Sequence, residues 1–148
     1  GGTIGWRVPT RTDNVLAIVA FEPGGSPFLF PEGEVPEVSK ALYEPVSATT
    51  KAVPLKDFEK LAKMPILLLY GDNIGEKPST ELGPDKWRSE LDMARKFVAA
   101  VNRHGGKAEL IHLPDLGIRG NTHFLMSDLN NREIAELVEK WLREHKLM

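Results

Sequence analysis

The fold is decided around a short loop in the last third of the chain, GIRGNTHFLM at residues 117–126. A strand-like run at residues 107–113 precedes this loop, and a helical pattern follows it from Asn131 onward. His123 is therefore predicted to lie at the carboxyl end of a strand, where open α/β sheets bind their ligands. A histidine there can face a cleft and titrate near neutral pH. A loop histidine that only hydrogen-bonds its neighbours is an equally good interpretation of this segment alone.

Two further apolar runs predict strands. Residues 15–21 are uninterruptedly apolar and end at the turn sequence EPGG. Residues 64–70 form a second run, which ends at GDN. Runs of this kind, closed by turn residues, are typical of strands buried on both faces of a parallel sheet. The strand at residues 107–113 is less apolar, so we expect it nearer an edge.

Amphipathic patterns predict helices at residues 54–63, at residues 87–104 and from Asn131 onward, with Asn130 or Asn131 as the cap of the last one. Strands that alternate with helices predict an α/β fold with a parallel sheet and right-handed crossovers. Residues 23–53 interrupt this alternation with a Pro- and Gly-rich stretch of poor periodicity. A connection of this length is usually functional, so it is predicted to be a lid-like insert.

The most apolar predicted strand, at residues 15–21, comes first in the chain. In a sheet of three strands in sequence order, residues 15–21 would form an open edge, and an exposed apolar edge promotes aggregation. We therefore expect more strands to pair with it, from chain that lies N-terminal to Gly1.

Composition narrows the classes of function. A chain of 148 residues is long enough for one domain with a sizeable core. The net charge of -2 gives no electrostatic case for binding nucleic acid or an anionic membrane, and no apolar run is long enough to span a bilayer. The absence of cysteine excludes disulfides, thiolate metal sites and a cysteine nucleophile. The four histidines lack metal-ligand spacing, so neither a metal nor a cofactor is expected.

Two acidic residues are candidate partners of His123. Glu22 follows the first predicted strand and Asp72 follows the second. A histidine base needs a carboxylate to fix its tautomer and to stabilise the imidazolium form. Glu22 could instead cap a turn, and Asp72 could brace the loop around Asn73. Glu22 is the preferred acid because it directly follows seven apolar residues and precedes a Pro-Gly-Gly turn.

These segments resemble the C-terminal half of an α/β-hydrolase, from just after the nucleophile elbow to the last helix. More narrowly, they resemble a bacterial and fungal esterase family. That family has Val/Phe-Glu-Pro-Gly after its sixth strand and Leu-Gly-x-x-Gly-Asn-Ser/Thr-His followed by Asp-x-Asn-Asn. The matching segments here are FEPG at residues 21–24, LGIRGNTH at 116–123 and DLNN at 128–131. The resemblance covers essentially the whole chain.

The resemblance implies a Ser-His-Glu triad with Glu22 as the acid. In most α/β-hydrolases the acid is an Asp after the seventh strand, but Ile74 stands at that position here. None of the serines lies in the nucleophile motif Gly-x-Ser-x-Gly. The resemblance places Gly1 as the last glycine of that motif, so the nucleophile is expected just upstream of Gly1 or in a companion chain. A cloning scar is the alternative explanation of Gly1 and Gly2.

Together these points predict that residues 1–148 are the C-terminal portion of one α/β-hydrolase domain that hydrolyses carboxylic esters. His123 is the predicted base and Glu22 the acid, while Phe28 and Phe30 of the insert are candidates for lining the substrate pocket. The expected partners are a small-molecule ester and the N-terminal half of the same enzyme, with a homodimer left open. The compartment is not predicted, and secretion and a periplasmic location both stay open. The alternative is a non-catalytic α/β module that binds a small ligand or a protein partner.

Overall fold

A computed structural model describes residues 5–25 and 27–148. The expectation that Gly1 closes a nucleophile motif lies outside the described residues. The elements in chain order are strands β1 (Ile18–Phe21), β2 (Phe28–Pro31) and β3 (Thr50–Val53), helix α1 (Leu55–Ala62), strand β4 (Pro65–Tyr70), helix α2 (Leu82–Arg103), strand β5 (Lys107–His112) and helix α3 (Asn131–Glu144). Short 3-10 helices lie at Glu44–Val46, Leu113–Leu116 and Leu125–Ser127.

The main sheet has three parallel strands in the order β1-β4-β5. The predicted α/β fold with parallel strands and connecting helices is therefore confirmed. The first strand is shorter than predicted, because pairing with β4 begins only at Ile18, and Leu16 is 74% exposed. Within the described residues β1 pairs on one side only, so it is an edge of this sheet. Pairing of further strands with β1 stays a prediction.

The stretch at residues 23–53 differs from the expected lid. Its two ends are strands β2 and β3, which pair in parallel as a second sheet. All four residues of β2 are buried, and its phenylalanines pack against Trp6 and Phe97 with ring centroids 5.7–6.3 Å apart. Burial of one such ring contributes about 1.5–3 kcal/mol, so the ends of the insert belong to the core.

Helix α2 begins at Leu82, five residues earlier than predicted. The early start is compatible with Pro84 because the first four N–H groups of a helix have no partner within the helix, so proline loses nothing there. The helix ends at Arg103, one residue before the predicted end, and Gly105 follows it with a φ of 79° that favours glycine.

The core lies on both faces of the main sheet. Side chains of β4 alternate between the two faces, so Ile66, Leu68 and Tyr70 join the cluster under α2, while Leu67 and Leu69 join the cluster under α3. Because the three strands are parallel, the segments that follow them meet at one edge of the sheet. That edge holds the predicted site residues.

Candidate active site

Glu22 and His123 meet at the carboxyl edge of the main sheet. Glu22 Oε2 lies 2.8 Å from His123 Nδ1, within the hydrogen-bond distance of about 2.6–3.2 Å that a base and its acid need. Glu22 follows β1 directly and is 3% exposed, whereas the His123 side chain is 42% exposed. The two residues are 101 positions apart in the chain, so only the parallel sheet brings them together.

The backbone at Glu22 is strained. Its φ of 39° lies in the left-handed region, which residues other than Gly, Asn and Asp rarely adopt. Such conformations cost about 1–3 kcal/mol and cluster at functional sites. Here the strained turn follows a regular strand whose last bond runs from Glu22 N to Leu69 O, at 2.7 Å. This geometry aims the carboxylate along the sheet edge towards His123.

Gly71 holds the second oxygen of Glu22. The Gly71 N–H donates to Glu22 Oε1 at 2.7 Å. A Cβ at Gly71 would lie 2.9 Å from the same oxygen and 3.1 Å from Asn121 O. Glycine is therefore required here by close approach. The acid is fixed by one backbone donor and one imidazole nitrogen, with both of its oxygens bonded.

Burial raises the pKa of the Glu22 carboxyl above its ordinary value, and the hydrogen bonds from His123 and from Gly71 N lower it in part. The raised pKa means that the ionised carboxylate is less stable in this site than in water, unless a cation forms beside it. An imidazolium at His123 is such a cation. In a serine triad the carboxylate has this role, because it stabilises the imidazolium that forms during proton transfer.

The loop that carries His123 is held by a polar network at Asn121. The Asn121 side chain is 1% exposed and donates to Asp128 Oδ2 at 3.1 Å and to Asn130 Oδ1 at 2.7 Å, while Asn130 donates back to Asn121 Oδ1 at 3.0 Å. Asn130 occupies the cap position of α3, but its side chain makes no capping bond. The predicted cap position is therefore confirmed at Asn130, but the capping bond is missing because Asn130 Oδ1 accepts from Asn121 instead.

Asp128 completes this network by binding Thr122, the residue before His123. It accepts from Thr122 N at 2.8 Å and from Thr122 Oγ1 at 2.9 Å. Burial alone would raise the pKa of Asp128, but these bonds and the one from Asn121 outweigh it and lower the pKa. Asn121 and Asp128 lie in the segments that carry the family resemblance, but nothing in the sequence alone indicates that they bond each other.

Asp72 braces the loop and does not contact His123. Its carboxylate accepts from Gly120 N at 3.0 Å and from Asn73 N at 2.9 Å, and Arg119 lies 3.8 Å away. The hydrogen bond from Gly120 is the main reason that the pKa of Asp72 is lowered. These contacts agree with the bracing role that the sequence left open for it.

The other ring nitrogen of His123 makes no hydrogen bond within the described part of the chain. The imidazole instead packs between two aromatic rings. Trp87 of α2 stacks on it with centroids 4.4 Å apart and an interplanar angle of 28°, and Phe124 meets it edge-on at 5.1 Å. The arrangement leaves Nε2 able to accept a proton from a group placed beside it.

Phe28 and Phe30 lie elsewhere. They are 0% and 1% exposed and pack in the aromatic core, which differs from the expectation that they line a substrate pocket. The apolar run FLF at residues 28–30 cannot be recognised as a buried strand from sequence, because a strand of four residues with a distant partner has no clear periodicity. Trp87 and Phe124 are the aromatic residues that the structure brings to His123.

Neither metal coordination nor a membrane span is found within residues 5–25 and 27–148. No group of three or more His, Asp or Glu side chains there could hold a metal ion. None of the helices there combines the length and the apolar character needed to cross a bilayer.

The chain is similar to two ester-hydrolase proteins. A curated relative from Fungal sp. (strain ATCC 74256), named probable secreted lipase phiG, is 28% identical over an alignment that covers 97% of this chain and 43% of the relative. A solved structure titled "The Atomic Resolution Structure of a Novel Bacterial Esterase" matches with a TM-score of 0.69 and 29% identity, over 97% of this chain and 35% of that chain. No protein-family model matches. The chain has the fold of part of an esterase and spans less than half the length of either protein.

Proposed function

We propose that this chain supplies the base and the acid of a serine carboxylic-ester hydrolase, with His123 as the base and Glu22 as the acid. The observation that carries the proposal is the 2.8 Å contact between Glu22 Oε2 and His123 Nδ1, with Nε2 of the same ring left without a partner in the described residues. The names of the lipase and the esterase that the chain resembles support the same chemistry.

In the proposed reaction, a serine from outside this chain attacks the ester carbonyl, and its proton passes to His123 Nε2. Glu22 stabilises the imidazolium through Nδ1. The tetrahedral intermediate then collapses, the bond between the carbonyl carbon and the alcohol oxygen breaks, and the imidazolium protonates the departing alcohol. A water molecule attacks the acyl-enzyme by the same route, with His123 again accepting and returning the proton.

We further propose that β1 pairs with a strand from the N-terminal half of the same protein. Leu16 is 74% exposed just before β1, and the described residues give that strand only one neighbour. Addition of a strand on this side would cover the edge. It would also bring the end of the added strand to the edge where His123 lies, which is where a nucleophile on a strand-to-helix turn would be placed.

The test uses the full-length protein with its upstream sequence. We expect it to hydrolyse a simple aryl ester and to be labelled by a fluorophosphonate probe at one serine of a Gly-x-Ser-x-Gly motif. His123→Ala should abolish both hydrolysis and labelling, because both need an activated serine. A full-length protein that hydrolyses no ester and takes up no probe would contradict the proposal. It would favour the alternative, a binding module.

A further inference from the structure

The ring that covers His123 also packs on the turn after Glu22. Trp87 packs on Gly24, where an added Cβ would lie only 2.7 Å from Cζ3 of the indole. One helical turn later, Glu90 is 1% exposed and accepts from Gly25 N at 2.8 Å. Helix α2 therefore contacts the turn after Glu22 and the imidazole of His123 at the same time.

The turn after Glu22 is held from the sheet as well. Tyr70, the last residue of β4, donates its hydroxyl to Pro23 O at 2.8 Å. The backbone from Glu22 to Gly25 is thus bonded to β4 on one side and to α2 on the other. A change in the position of Trp87 would be transmitted both to His123 and to the turn that presents its acid.

We propose that Trp87 is a positioning residue for His123. This inference rests on the proposed function. The stack fixes the plane of the imidazole so that Nδ1 faces Glu22 and Nε2 faces the open side of the site. The indole face also attracts the imidazolium that forms when His123 takes a proton, because the negative face of an aromatic ring stabilises a cation.

Three charged groups share this environment. Glu22 bonds the imidazole directly, Lys86 Nζ lies 4.8 Å from the centroid of Trp87, and Glu90 packs behind Gly24. Lys86 competes with the imidazolium for the indole, whereas Glu22 and Glu90 favour a cation. The contribution of Trp87 is therefore expected to be smaller than that of the hydrogen-bonded acid.

The chain offers a matched control. Trp141 and His145 of the last helix have ring centroids 4.3 Å apart and an interplanar angle of 31°, nearly the geometry of Trp87 and His123. This second stack lies on the other face of the sheet, in the cluster under α3. Trp141→Phe therefore makes the same change in a stacked ring as Trp87→Phe, without reaching the site.

The kinetic test compares Trp87→Leu, Trp87→Phe and Trp141→Phe in the full-length protein with a small aryl ester. We expect Trp87→Leu to lower kcat about tenfold with little change in KM, because a cation–π contact in a partly desolvated site is worth about that factor. Trp87→Phe should recover kcat to within about threefold, since a smaller ring still stacks. Trp141→Phe should leave kcat and KM unchanged.

A second measurement needs no substrate. A protonated imidazole quenches a stacked indole, so the tryptophan fluorescence of the full-length protein should fall as pH is lowered from about 8 to about 5, where histidine titrates. The part of this fall that comes from Trp87 and His123 should be missing, to the same extent, in Trp87→Phe and in His123→Gln. It should be retained in Trp141→Phe.

The outcomes separate the two proposals. An unchanged kcat in folded Trp87→Leu, a change in KM alone, or no loss of quenching in His123→Gln would overturn the role of Trp87. If Trp87→Leu does not fold, Trp87→Phe and the fluorescence of His123→Gln decide in its place. Quenching as expected in a wild type that hydrolyses no ester would overturn the proposed function and leave the coupling of Trp87 to His123 supported.

Discussion

The molecule contains two clusters of the same three residue types, Trp, His and Glu, with different surroundings. At the carboxyl edge of the sheet, His123 stacks on Trp87 and bonds Glu22. Near the end of α3, His145 stacks on Trp141, and its Nε2 lies 3.3 Å from Glu109 Oε1. Stacking geometry alone does not distinguish the two clusters.

The hydrogen bonds do distinguish them. Both ring nitrogens of His145 have partners, because Nδ1 donates to Trp141 O at 2.9 Å while Nε2 faces Glu109. Glu109 is half-exposed and also accepts from Trp141 Nε1 at 2.8 Å. His123 instead uses one nitrogen for a buried carboxylate and presents the other. A histidine that exchanges protons with a substrate needs this second arrangement, so the comparison favours His123.

The largest expected difference between the clusters concerns the histidines themselves. In the full-length protein, His123→Ala should lower kcat/KM for an aryl ester by about 10⁴- to 10⁶-fold, the range over which loss of the acid or the base of the triad lowers turnover in serine proteases. His145→Ala should leave kcat/KM within about twofold, because its contacts end on its own helix and on Glu109. Steady-state kinetics on both variants, with folding checked by circular dichroism, would test this difference. Equal losses of kcat/KM in the two variants would contradict it.

A smaller effect is expected from the glycine that fixes the acid. Gly71→Ala would place a methyl group 2.9 Å from Glu22 Oε1, so the carboxylate must move away from His123. A displacement of about 1 Å at a catalytic group costs roughly 10²-fold in rate. We therefore expect kcat to fall about 10²-fold with KM nearly unchanged.

Gly83→Ala is the control for this substitution. Gly83 lies in α2, and a Cβ added there would meet nothing within 4 Å. It should keep full activity and gain up to about 1 kcal/mol of stability from the better helix propensity of alanine. Equal kinetics for Gly71→Ala and the wild type would show that the acid is not held as closely as the contacts indicate.

The smallest effect concerns stability and pH. Burial raises the pKa of Glu90 above its ordinary value of 4.5, and the bond from Gly25 N lowers it in part. A raised folded-state pKa gives stability that is full below the unfolded pKa and is lost as pH rises through the folded pKa. Glu90→Gln should therefore match the wild-type Tm at acidic pH and exceed it at neutral pH. Glu59→Gln, at an exposed position, is the control and should show no such dependence of Tm on pH. A lower Tm for Glu90→Gln than for the wild type at neutral pH would contradict the expectation.

Much of the frame of the site follows from local sequence. Uninterrupted apolar runs closed by turn residues locate strands that are buried on both faces, and parallel strands bring Glu22 and the His123 loop to one edge. This rule places Glu22 and His123 at the same edge of the sheet although they are 101 positions apart in the chain.

What the sequence did not yield depends on packing between distant segments. Strands β2 and β3 are four residues each, and neither has a period that separates it from a loop. Asn130 is a residue type that commonly caps helices, yet its side-chain oxygen accepts a hydrogen bond from Asn121, nine residues earlier. Trp87 could be placed on a helix, but its stack on His123 depends on how α2 crosses the sheet, which helical periodicity does not fix.

The identity of the acid is the most direct test of the account. Glu22→Gln and Asp72→Asn should be assayed side by side in the full-length protein at saturating ester. Glu22→Gln keeps the shape and removes the charge beside His123, so kcat should fall by about 10³-fold, somewhat less than the 10⁴-fold of the equivalent change in a serine protease. Asp72→Asn weakens only the bracing of the loop through Gly120 N and Asn73 N, so kcat should change by less than about tenfold and follow Tm. A large fall in kcat for Asp72→Asn, together with a nearly wild-type kcat for Glu22→Gln, would contradict the account.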